Sequence, residues 1–166
     1  MINIENCQED IYLSPDFIDR ISDVVEMVLE HEQVNVEYEV NILFVNNSYI
    51  KDINFNHRGI DKETDCLSFP MINYQEGKFY KDQYLNYEFK DYELDEGKVI
   101  LGDILISTEK AKSQSLEFGH GFDREIIYLI IHSLLHLLGY DHMKSEDKKI
   151  MRFREKQIIK LIGVFK

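Results

Sequence analysis

Three histidines carry the strongest chemical signal in this sequence: His132, His136 and His142, with Gly139 between the second and the third. Residues at i and i+4 of a helix lie one above the other on one face. His132 and His136 can therefore bring two imidazoles to one metal ion. A third ligand cannot come from the same face without leaving the helix. Gly139 supplies that exit, since glycine readily takes the left-handed conformation that turns a chain at a helix end. His142 then closes the group. Three neutral imidazoles leave a fourth position for water. That is the ligand set of a catalytic zinc site, in which the pKa of the water falls to about 7. The competing reading is three core histidines satisfied by hydrogen bonds. From position 126 to 138 the only polar side chains are Tyr128, His132, Ser133 and His136. Such a helix is buried nearly all round, and two unpaired histidines inside it would be costly. One zinc ion per chain removes that cost better than chance partners do.

The spacing matches the HExxHxxGxxH pattern of metzincin proteases, with Ser133 where the basic glutamate would stand. Serine cannot take a proton from water at neutral pH without a base of its own. The cage is thus that of a protease and the base is not, which directs attention to another reaction. Residues 132–142 read HSLLHLLGYDH, residues 53–70 read INFNHRGIDKETDCLSFP, and residues 101–107 read LGDILIS. In combination these resemble the YbeY-type endoribonucleases, whose motifs run HGxLHLxGYDH, LNxxYRxxDxPTDVLSFP and LGDIxIS. The second stretch matches at Asn54, Arg58, Asp61, Thr64, Asp65, Leu67, Ser68, Phe69 and Pro70. His57 stands where Tyr is usual, Glu63 where Pro is common and Ser133 where Gly is common; none is a candidate ligand.

The resemblance implies a metal-dependent hydrolase of single-stranded RNA in the cytoplasm. It implies work with the small ribosomal subunit and its proteins, in 16S rRNA 3′-end maturation and ribosome quality control. It carries His132, His136 and His142 over as zinc ligands, places two of them on a central helix beside a mixed sheet, and points to Arg58 as a functional position. Arg58 can fork two hydrogen bonds to a phosphate. In this reading it stabilises charge on the phosphoryl oxygens, and the proton acceptor stays unassigned. As an ordinary surface residue it would pair with Asp61 or serve as a positive charge at a helix C-terminus instead. Asp103 interrupts an apolar strand and either orients a ligand histidine or occupies a solvent position or a bulge at Gly102. Asp65 and Ser68 either secure the strand before Pro70 or belong to the site, and Asp141 reads as a turn residue before it reads as an acceptor behind a ligand or a weak base. His120, flanked by two glycines, is a spare ligand whose recruitment would make the zinc structural. Two rival functions follow: a zinc metallopeptidase with an unusual base, and a non-catalytic ribosome assembly factor with structural zinc.

The elements that must position these residues read as an α+β fold, a mixed β-sheet flanked by helices. Residues 1–5 form a short edge strand. Ser14 followed by Pro15 starts a helix carrying Phe17, Ile18, Ile21, Val24, Val25 and Val28 at helical spacing. Residues 36–45 alternate as a half-buried strand, and residues 47–55 form a short helix. A brief apolar strand at 66–69 leads into an insert at 71–98 with seven aromatics, seven acids and four lysines. This insert reads as a long surface loop or hairpin that packs as a flap or offers rings for base stacking. A strand at 99–106 precedes a helix to about 118, the histidine helix at 122–138 and a basic helix capped by Ser145 and running to about 162.

With 166 residues the chain suits a single domain, 1–166. Cys7 and Cys66 are its only cysteines, which excludes a disulfide scaffold, a zinc ribbon and a CxxC redox motif. The apolar run at 126–131 is far short of the ~18–20 residues of a membrane span, and the first ten residues lack a signal pattern. A net charge of −12 argues against general nucleic-acid binding. Yet residues 143–166 carry eight basic and three acidic side chains, a local +5 that leaves −17 on residues 1–142. That segment is either a solvated helix face or a local contact for an anion.

Overall fold

A computed structural model describes residues 1–163; Lys166, counted above in the basic segment, lies outside the described residues. Four strands form one sheet in the order β1 (Ile2–Asn6), β2 (Tyr38–Val45), β4 (Val99–Ser107), β3 (Cys66–Pro70). The first three run parallel and β3 is antiparallel to β4 at the sheet edge. The parallel pair β1–β2 needs a crossover, and α1 (Pro15–His31) provides it, with Ser14 Oγ accepting the Phe17 N–H at its start. α2 (Asn47–Arg58) runs three residues past the expected end, so Arg58 is its last residue and Gly59 at φ 70° caps it. α4 (Thr108–Phe118) is capped by Ser107, whose side chain accepts the Lys110 N–H. α5 (Phe122–Leu137) carries the histidines, and α6 (Ser145–Ile162) is the basic helix. Ser145 is not the cap of α6: Lys144 holds that position and makes no side-chain capping bond.

Strand parity divides the apolar residues between two faces. Val40, Ile42, Phe44, Ile104 and Ile106 join the main core with α1 and α5. Val45, Ile50, Leu67 and Leu105 form a smaller cluster under α2 on the other face. A bulge between the Glu39–Ile100 and Val40–Gly102 pairs makes the switch of parity in β4. Gly102 sits there at φ 142°, where a Cβ would lie 2.2 Å from the Phe69 carbonyl oxygen. α5 packs against β3, β4, α1, α4 and α6. All its apolar side chains from Ile126 to Leu137 are buried, and His132 and His136 retain partial access.

The insert contains one short helical turn, α3 (Tyr80–Gln83), and a 3-10 turn at Asp91–Glu93. Tyr84 packs against Tyr74, Tyr80, Tyr87 and Phe89 at centroid distances of 5.4–5.8 Å. Tyr80 is fully buried. Most of these rings are spent on packing, while Tyr87 and Tyr92 are exposed.

Candidate metal centre

The turn after α5 fixes the third histidine. The Tyr140 N–H bonds the Leu135 carbonyl at 3.0 Å and the Gly139 N–H bonds the His136 carbonyl at 3.1 Å, the paired bonds of a Schellman motif. Gly139 sits at φ 97°, as that motif demands. The insert completes the turn. Tyr74 donates its hydroxyl to the Leu137 carbonyl at 2.8 Å, and the Tyr80 N–H reaches the Leu138 carbonyl at 2.9 Å. Two carbonyls left over at a helix end are thereby satisfied. A Cβ on Gly139 would meet the Lys78 carbonyl at 2.8 Å and the Tyr74 ring at 3.0 Å, so the insert presses against the turn where only glycine fits.

The three histidines converge. Ring centroids lie 4.7 Å apart for His132 and His136, 4.9 Å for His136 and His142, and 5.4 Å for His132 and His142. One nitrogen from each falls within 4.8 Å of the others. His136 Nδ1 faces the Tyr140 carbonyl at 2.9 Å; a carbonyl only accepts, so Nδ1 carries the proton. His132 Nδ1 faces Glu155 Oε1 at 2.7 Å, and the Tyr128 hydroxyl donates to the second Glu155 oxygen at 3.2 Å. The two Nε2 atoms then lie 3.1 Å apart. Two unprotonated nitrogens at that distance repel unless a cation or a proton lies between them. A tetrahedral zinc with Zn–N of about 2.0–2.1 Å sets its ligand nitrogens about 3.3 Å apart, so the donor set fits such an ion. Burial, then the neighbouring His132 and His142, hold the His136 pKa down to about 4, which keeps the imidazole in its metal-binding form at neutral pH.

Each hydrogen bond behind the cage reaches a different element. Glu155 projects from α6 and is buried. Tyr140 is held by its hydroxyl, which donates to buried Glu32 at the end of α1 at 2.8 Å, and by Phe79 of the insert, stacked on its ring at 4.1 Å. Arg154 of α6 bonds the other Glu32 oxygen. Neither Glu155 nor Glu32 was singled out by sequence. Glu155 had a signal, because it shares the buried stripe of α6 with Met151 and Ile158, and an acid in an apolar stripe needs a partner.

The cage opens onto a cleft of about 930 Å³ walled by Arg58, residues 64–68, part of the insert and residues 139–144. Arg58 is brought to this cleft. Its Nη1 donates to Asn54 Oδ1 at 3.4 Å, and it forms no ion pair among the described residues; Asp61 pairs with Lys51 at 3.7 Å instead. Buried Asn54 in turn donates to the Lys62 carbonyl at 2.9 Å. Asp65 Oδ1 accepts the Cys66 N–H at 2.7 Å and Oδ2 accepts from Gln114 at 3.1 Å, securing β3. Lys144 pairs with Glu76 of the insert. Ser133 is fully buried beside Cys66, in no position to take a proton in the cleft.

Two candidates fall elsewhere. Asp103 orients no histidine: it accepts from Asn41 at 2.9 Å, and Asn41 from Asn3 at 2.8 Å, in a polar ladder across the sheet. The bulge beside Gly102 gives it that outward face. His120 bonds buried Glu125 at 3.0 Å at the start of α5, and the metal-competent group among the described residues comprises His132, His136 and His142 alone. Asp141 accepts the His142 N–H at 2.7 Å, as a turn residue does. Among the described residues no helix is long and apolar enough to cross a membrane.

A family model described as Endoribonuclease YbeY matches residues 3–163. An Endoribonuclease YbeY of Clostridium botulinum is 55% identical over 160 residues, covering 96% of this chain and 96% of that protein. One from Clostridium beijerinckii is 46% identical over 166 residues, covering 100% and 99%. The solution structure of a Thermotoga maritima protein shares the fold, with a TM-score of 0.62 at 24% identity over 98% of this chain and 89% of that one.

Proposed function

Because the chain belongs to the Endoribonuclease YbeY family, we propose that it is a zinc-dependent endoribonuclease that hydrolyses phosphodiesters of single-stranded RNA. In this reading one domain, 1–166, acts in the cytoplasm on ribosomal RNA with the small ribosomal subunit and its proteins, in 16S rRNA 3′-end maturation and ribosome quality control. The observation that carries it is the convergence of His132, His136 and His142, with the Nε2 atoms of the first two 3.1 Å apart and each Nδ1 bonded from behind. His132, His136 and His142 would hold the ion. Bound zinc supplies a Lewis acid and lowers the pKa of water to about 7.

The chain's own residues do the rest. Glu155 and the Tyr140 carbonyl hold the Nδ1 protons of His132 and His136, fixing the tautomer that presents Nε2. Arg58 lines the same cleft with its guanidinium committed to a single long hydrogen bond. It is free to fork onto the scissile phosphate and stabilise the charge that develops there. Buried Ser133 supports this reading over the peptidase, since it stands where the peptidase's glutamate would and is closed off from the cleft. His120, bonded to Glu125, is unavailable as the fourth ligand that a structural zinc would need. The test offers single-stranded RNA and denatured protein side by side, with and without chelator. RNA cleavage that stops with chelator and returns with zinc is expected; chelator-sensitive cleavage of the protein alone would establish the peptidase instead.

A further inference from the structure

The cage borders a second hollow. This one, of about 230 Å³, is lined by Tyr128, His132, His142, Lys148, Arg152 and Glu155, so it adjoins the main cleft through His132 and His142. Lys148 and Arg152 stand at i and i+4 on α6, both exposed, and neither forms an ion pair among the described residues. Other cations nearby are taken: Lys144 by Glu76 and Arg154 by Glu32. The single carboxylate in the hollow, Glu155, has one oxygen on His132 Nδ1 and the other under the Tyr128 hydroxyl. Two like charges one turn apart repel each other. They stand where the chain's local charge is +5, against −17 for the rest.

We propose that Lys148 and Arg152 form a second phosphate subsite, which holds the RNA backbone beside the scissile linkage while Arg58 engages it from the main cleft. The inference rests on the RNA-cleaving reading and adds the path of the strand: across His132 and His142, from one hollow into the other. An acidic body repels a polyanion, so the strand must be held where cations are unpaired. A phosphate contact sets position and affinity without reading sequence. The subsite therefore governs how tightly the strand binds and leaves the chemical step alone.

The test compares zinc-loaded wild type, Lys148→Ala/Arg152→Ala, and Lys149→Ala/Lys160→Ala. The last loses the same charge from α6 positions that do not line the hollow. Steady-state cleavage of a single-stranded RNA oligonucleotide is followed between about 50 and 200 mM salt. For Lys148→Ala/Arg152→Ala, KM should rise roughly tenfold with kcat within about twofold. The slope of log(kcat/KM) against log salt should flatten by about 1.4, at ~0.7 per phosphate contact on single strands. Zinc content and melting temperature should match wild type. Equal behaviour of the two double variants would overturn the subsite. A wild type that leaves RNA intact would strike instead at the function it rests on. Anisotropy binding of the same RNA by the three proteins then reads the subsite directly: weaker binding by Lys148→Ala/Arg152→Ala alone supports it, and equal binding by both variants overturns it.

Discussion

Two of the places where polar side chains break an apolar element have opposite meanings. In α5, His132 and His136 interrupt a buried helix; behind His132 stands Glu155 of α6, and behind His136 the Tyr140 carbonyl of the following turn, a residue braced by α1 and the insert. In β4, Asp103 interrupts a buried strand and leads only along the surface, to Asn41 and Asn3. A strand turns every second residue outward, so one polar residue needs nothing more than solvent on that side. A helix buried nearly all round has no outward face to spare, so polar groups there must be paired or ligated. A polar break signals a site when it costs something to bury, and of these two α5 alone meets that condition.

Substitutions should separate the two regions by magnitude. Arg58→Ala, in the cleft that the cage opens onto, should cost about 2–4 kcal/mol in kcat/KM on single-stranded RNA, as for one lost charge-stabilising donor. Arg58→Lys should recover part of this, since it keeps the charge and loses the fork; melting temperature and zinc content should stay near wild type in both. Glu155→Gln should weaken zinc affinity by roughly 10–100-fold, as loss of a ligand's hydrogen-bond partner does, read by competition with a chelating dye. Tyr74→Phe keeps the ring against Gly139 and removes only its bond to the Leu137 carbonyl. It should lower stability by about 1 kcal/mol in denaturant titration and weaken zinc binding only a few-fold. Asp103→Ala should shift stability by about 0.5 kcal/mol or less and leave zinc affinity untouched. A loss of zinc from Asp103→Ala, or none from Glu155→Gln, would collapse the distinction between the two regions.

The residues that announce the site are also those that sequence makes easiest to read. The i, i+4 pair and Gly139 are local, since one helix and one turn determine them; local signals likewise placed the start of α1 at Pro15 and α5 to within a residue. The supports are non-local. Glu155 lies 23 residues from His132 and Glu32 lies 108 from Tyr140, and no spacing rule joins them before the helices pack. Sequence leaves Asp103 open between supporting a histidine and an outward position at a bulge; the second holds, and the bulge at Gly102 that decides it depends on a partner strand 62 residues away. The insert was legible as an aromatic excursion. Its role in satisfying Leu137 and Leu138 was hidden, because those carbonyls are left over only once α5 has ended where it does.

The central claim is that three histidines converge on one zinc ion, and elemental analysis of the purified protein beside His136→Ala tests it most directly. The account predicts about one zinc per chain in wild type after dialysis against trace zinc, and little in the variant at unchanged fold by circular dichroism. Full zinc occupancy in His136→Ala, or a wild type that takes up none, would contradict it.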